Sequence, residues 1–65
     1  SKYLVNDNAQ PTGEHEVHED GCVWLLLTHS ATPLGEHSSC RTAVQAASRI
    51  YSNVEDARHA ARFVI

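Results

Sequence analysis

HEVHEDGCVWLLLT, running from His15 to Thr28, is the stretch on which the fold turns. A polar, alternating arm lies ahead of a turn at Glu19-Asp20-Gly21, and the arm that follows, Cys22 to Thr28, is almost wholly apolar. Asp-Gly between two such runs is a strong short-range hairpin cue. A strand that is apolar in both directions needs cover on both faces, so the spacing predicts that Cys22 to Thr28 forms the central strand of a sheet.

Upstream, KYLV at Lys2 to Val5 is β-prone and is stopped by NDNAQPTG, where Asn, Asp, Pro and Gly gather as they do in turns. Downstream, HSATPLGEHS reads as loop, with a short edge strand expected around Thr32 to Leu34. From Ser39 the hydrophobic period changes to that of a helix. Cys40, Ala43, Val44, Ala47, Ile50, Tyr51 and Val54 share one arc of a helical wheel, opposite Arg41, Gln45, Ser48, Arg49 and Ser52. Ser38 or Ser39 supplies an N-cap hydroxyl. Ala57 and Ala61 continue the stripe, so either one helix reaches Ala61 or Asn53 interrupts it. We adopt the break, because Asn tolerates a left-handed cap and Glu55 with Asp56 suits the first turn of a second short helix. The expected fold is α+β, one small domain over residues 1–65. It comprises a three-stranded, mainly antiparallel sheet, one amphipathic helix packed on it, and a short C-terminal helix.

A chain of 65 residues is expected to bury only about 60% of its unfolded surface, so a metal, a disulfide or a partner subunit is a live question. With 42% hydrophobic and 20% charged residues it reads as a globule rather than a disordered segment. Residues 1–37 hold six acids against Lys2, whereas residues 38–65 hold four arginines against Glu55 and Asp56. The net charge of −3 and the scatter of the arginines argue against nucleic acid or an anionic membrane as partner. No apolar run is long enough to span a bilayer, the longest being Cys22 to Leu27, and no basic-then-apolar leader opens the residues. A soluble, cytoplasmic protein is expected. The start at Ser1 in a chain without methionine suits removal of an initiator residue, and suits trimming equally. Cys22 and Cys40 allow at most one internal disulfide, which a reducing cytosol disfavours, so both are read as thiols.

Three kinds of chemistry can be asked of these residues. GEHEVHEDGC, Gly13 to Cys22, gathers two histidines, four carboxylates and a cysteine, but neighbours on a strand alternate faces, so His15 and His18 point apart. A structural zinc takes four ligands, and this segment alone offers too few on one side. Cys40 begins a helix three residues after His37, which opens a thiol-nucleophile reading, although the wheel places Cys40 on the buried stripe. The free amides of that helix start, with Arg41, form a generic anion site. No phosphate-binding glycine loop and no Ser-His-Asp set is present. Trp24 and Tyr51 are core candidates, and Glu14, Glu16, Glu19 and Asp20 read as a solvated face that keeps an edge strand soluble.

The combination N-x-x-x-x-G-x-H-E-V-H from Asn8 to His18, then G-C-x-W-L, then L-G-x-x-x-S-C-x-x-A-V-x-x-A from Leu34 to Ala47 resembles a family of very short, uncharacterised bacterial proteins. The similarity covers about residues 3–54. Members carry a Cys-rich tail ending in Cys-His, and the resemblance implies that His15, His18, Cys22 and Cys40 are partners in a zinc site. Here the tail reads EDARHAARFVI, with no cysteine and with His59 as the one late donor, and Leu26 stands where proline is frequent. The family brings no activity with it.

The expected function is a small soluble binding or interaction module of uncharacterised role, without catalytic residues. The alternatives are a zinc-binding structural or redox domain and a thiol enzyme using Cys40. The expected partner is an unknown protein or a second copy, since short sheets leave edges open to homodimer formation. Cys40 is expected to be buried, and no tightly bound metal is expected.

Overall fold

A computed structural model describes residues 1–21 and 30–57. Within them the chain forms β1 (Lys2–Asn6), β2 (His15–Glu19), β3 (Ala31–Glu36), helix α1 (Cys40–Ala47) and β4 (Val54–Asp56). The class is α+β, as the residue pattern implies. The sheet is four-stranded and mixed, in the order β3-β1-β2-β4. β1 pairs antiparallel with both β2 and β3, whereas β4 lies parallel to β2.

Alternation within β1 decides which way the sheet faces. Tyr3 and Val5 are buried while Lys2 is exposed and Leu4 and Asn6 are half-buried. Val5 pairs directly with Val17, and these two side chains, at 0% and 1% exposure, are the largest wholly buried ones. Against them α1 sets Cys40, Ala43 and Ala47, all buried, with Leu34, Val44, Tyr51 and Val54 packed at the margin. Alanines at both fully buried helix positions let the backbone of α1 lie close to the sheet. Burying such a contact stabilises by about 25 cal/mol per Å² of apolar surface removed from water.

Several expectations need correction. Among the described residues the sheet has four strands rather than three. β3 is longer than the short edge strand anticipated at Thr32 to Leu34, and β4 adds a parallel edge. Glu55 and Asp56 lie in β4 rather than in the first turn of a second helix, because Val54, Glu55 and Asp56 pair with His15, Glu16 and Val17. α1 ends at Ala47 instead of running on to the break expected at Asn53. Beyond it, Arg49 N donates to Ala46 O and Ile50 N to Ala47 O, so the chain tightens and turns away. Ile50, placed on the buried stripe by the wheel, is therefore 49% exposed. Ser39 occupies the N-cap position, but its side chain makes no capping hydrogen bond. The apolar arm Cys22 to Thr28 with Trp24, and the remainder of the expected C-terminal helix after Ala57, lie outside the described residues. Among the described residues no helix is long and apolar enough to cross a membrane.

Candidate functional site

Two places concentrate polar chemistry. The first centres on Asp7, one residue past β1. Its Oδ1 accepts hydrogen bonds from Thr32 Oγ1 at 2.6 Å and Tyr51 Oη at 2.7 Å, and its Oδ2 accepts from Ser30 Oγ at 2.6 Å. These bonds, from Ser30 first, then Thr32 and Tyr51, hold the carboxyl below the usual carboxylate range. The bond to Asp7 and burial raise the Tyr51 phenol above its ordinary value. Both shifts move the pair away from neutrality, so Asp7 stays an ionised acceptor and Tyr51 a protonated donor. Such a pair fixes positions and does not exchange protons near pH 7.

His15 joins this cluster rather than a ligand set. Its ring stacks on Tyr51 with centroids 3.7 Å apart and planes 9° from parallel. Its Nδ1 lies 2.9 Å from the Asn6 carbonyl, an atom that can only accept, so Nδ1 carries the proton and donates. Only Nε2 is left with a lone pair in the neutral ring.

The second place lies where the end of β2 meets the start of α1 and the end of β4. A cavity of about 350 Å³ opens there. Tyr3, Val17 and Cys40 give it an apolar floor, Glu19, Asp20 and Asp56 bring three carboxylates, and His18 contributes to the wall. A larger, shallower groove of about 650 Å³ runs between α1 and β4 past Val44 and Val54. His18 is 4% exposed. Its Nε2 lies 3.4 Å from Glu16 Oε1, while Nδ1 is buried with no hydrogen-bond partner. A polar atom in that condition is uncommon, since the great majority of buried polar atoms are paired. Glu16 in turn accepts from Gln10 Nε2 at 3.3 Å and is largely buried, so it does not belong to the solvated acidic face on which it was placed.

His15 and His18 are thus set apart, as strand alternation requires: one stacks on Tyr51, the other pairs across the sheet with Leu4. His18 and Cys40 both border the cavity, but alternation along β2 turns the His18 ring to the sheet face opposite Val17 and Cys40. Cys22 and His59 lie outside the described residues, and among those residues no group of three or more His, Cys, Asp or Glu side chains is placed to hold a metal ion. Cys40 is a reduced thiol, 6% exposed. His37, its expected activator, donates from Nε2 to the Leu34 carbonyl at 2.9 Å and sets Nδ1 3.0 Å from Thr42 Oγ1. Its ring edges are committed elsewhere, and it packs edge-on to Tyr3.

Sequence reasoning missed the roles of Asp7, Ser30 and Thr32, the first two of which read as ordinary turn and loop residues and the third as the start of a short edge strand. An Asp between two asparagines marks a turn, but nothing local shows that its carboxylate reaches a tyrosine 44 residues away. The cavity acids Glu19 and Asp20 were visible as charges, and their meeting with Asp56 depends on a parallel pairing that no local pattern announces. Comparison with known proteins gives no match: no family model, no curated protein and no solved structure matches this chain.

Proposed function

We propose that this chain is a small binding module whose working surface is the cavity between the end of β2, the start of α1 and the end of β4. One observation carries the reading. The apolar Tyr3, Val17 and Cys40 and the acidic Glu19, Asp20 and Asp56 line one space of about 350 Å³, within the usual size range of small-ligand pockets. Pockets that bind pair an apolar lining with a few polar groups that orient the ligand, and this one has both. The test is a panel of small amines, alcohols and carboxylic acids titrated into isotope-labelled protein. Backbone amide shifts should cluster at Val17, Gly21 and Cys40; shifts scattered over the surface, or none, would sink the reading.

A second reading, a zinc-binding structural domain, draws on the resemblance and on one observation. The resemblance puts His15, His18, Cys22 and Cys40 around one ion, and His18 and Cys40 do line one cavity. Against it, His15 holds its ring on Tyr51 and so stands away from that cavity. Metal analysis of the purified protein separates the two readings, with one equivalent of zinc whose removal unfolds the domain as the outcome that installs the second. The thiol-enzyme reading draws less support, since His37 is bonded away from Cys40.

A further inference from the structure

We propose that the Asp20-Gly21 peptide is a site of self-modification, at which the folded chain converts aspartate to isoaspartate through a cyclic imide without an enzyme. The proposal is independent of the binding-module reading and rests on the turn that follows β2. The chain has three aspartates, Asp7, Asp20 and Asp56, followed by Asn8, Gly21 and Ala57. The structure treats the three very differently.

In the ring closure the backbone nitrogen of the following residue gives up its proton and attacks the aspartate Cγ. A C–N bond forms, and one carboxyl oxygen leaves with two protons as water. Solvent water then opens the five-membered imide at either carbonyl. Breaking the new C–N bond restores aspartate, whereas breaking the original one leaves a peptide that runs through Cγ, with the carboxylate now on the main-chain carbon. One water leaves and one returns, so the product has the mass of the starting chain and no other reactant is consumed. The closure asks for a carboxyl that is free to move, a nitrogen that is not held by a hydrogen bond, and little bulk beside that nitrogen.

Asp7 meets none of the first two conditions. Its carboxylate is held by Ser30, Thr32 and Tyr51, and the Asn8 nitrogen donates to Asn6 Oδ1 at 2.9 Å. Asp56 lies in β4, paired with Val17. Asp20 and Gly21 are both exposed, and among the described residues neither the Asp20 carboxylate nor the Gly21 N–H has a hydrogen-bond partner. The Asp20 nitrogen is tied to the Lys2 carbonyl at 2.7 Å, which anchors the residue from behind and leaves rotation about its Cα–C bond to carry the Gly21 nitrogen to Cγ. Gly21 has no side chain, and nothing lies within 4 Å of the point a Cβ would occupy. Glycine also crosses φ/ψ space at the lowest cost. Because Asp20 lines the cavity, the conversion relocates one of its carboxylates and lengthens the backbone there by one carbon.

The experiment ages the full chain in warm neutral buffer, folded and in urea, and follows the tryptic peptide of residues 3–41, which holds Asp7 and Asp20. Chromatography separates the isomer at unchanged mass, and fragmentation that breaks the Cα–Cβ bond of isoaspartate assigns its position. Each aspartate is compared with itself. The folded chain should convert Asp20 within about threefold of its rate in urea, since opening an exposed turn costs almost nothing. Folding should slow Asp7 about a hundredfold, because three hydrogen bonds to its carboxylate must break first. Asp20→Glu, which keeps the charge at an exposed position but would need a six-membered ring, should abolish the new species. Suppression of Asp20 by folding as strong as that of Asp7, or the same species arising in Asp20→Glu, would overturn the proposal.

Discussion

Asp7 accepts hydrogen bonds from three side chains that belong to two distant segments, so its ionisation and the fold are linked. Its pKa is lowered in the folded protein from 3.8. The stabilisation is therefore fully present above the unfolded value and is lost as pH falls through the lower, folded one. Urea midpoints should fall as pH drops below 3.8, and Asp7→Asn should flatten that acid limb. An equally steep limb in the variant would show that other carboxylates cause it. Tyr51→Phe keeps the ring stacked on His15 but removes the donor to Asp7, and its urea midpoint should also drop at neutral pH. Little of this was legible, because the sequence near Asp7 announces a turn and nothing more. Cys40 was legible: the helical period put it on the stripe with Ala43 and Ala47, and there it is buried. Alkylation of Cys40 in the folded protein should accordingly be slow and should speed up in urea; rapid labelling without denaturant would contradict the packing.

α1 was readable at its start and misleading at its end. The stripe from Cys40 to Ala47 is helical because small apolar residues recur every three to four positions, and the same arithmetic extends to Ile50, Tyr51 and Val54. What stops the helix is tertiary: Tyr51 reaches Asp7 and Val54 pairs with His15, and together these outweigh two further helical turns. Ala47 is 0% exposed, and overpacking such a site costs about 1–3 kcal/mol. Ala47→Leu should be destabilised by that order in urea unfolding, whereas Ser48→Leu next to it, on the exposed side, should not. β3 carries its own device. The register slips between Tyr3 and Leu4, which face Gly35 and Pro33 and leave Leu34 extra. Gly35 sits at φ +83°, with nothing within 4 Å of the point a Cβ would occupy, so its constraint is backbone conformation and not space. Gly35→Ala should cost about 1–2 kcal/mol; a neutral result would mean that the bulge relaxes.

Across the whole molecule the class of fold followed from two periods, strand-like before Thr28 and helix-like after Ser39. The parallel placement of β4 did not, since three residues, Val54-Glu55-Asp56, carry no alternation to read and find their partner 39 positions away in His15 to Val17. Among the described residues, the strands at the two ends of the sheet are poorly suited to pairing. β3 presents Pro33, which has no N–H to offer, and ends on the exposed Glu36, while β4 is three residues long and carries two acids. A tie that joins the chain across nearly its whole described length runs from Asp7 to Tyr51, and it must wait until β3 and α1 are in place. Contacts of that separation are closed late on the path to the native state. A bond formed after the rate-limiting barrier slows escape from the native state without hastening arrival. Stopped-flow measurements on Tyr51→Phe should therefore show faster unfolding and an unchanged folding limb, and the half-life of the folded domain, more than its rate of formation, is what the Asp7 contact governs.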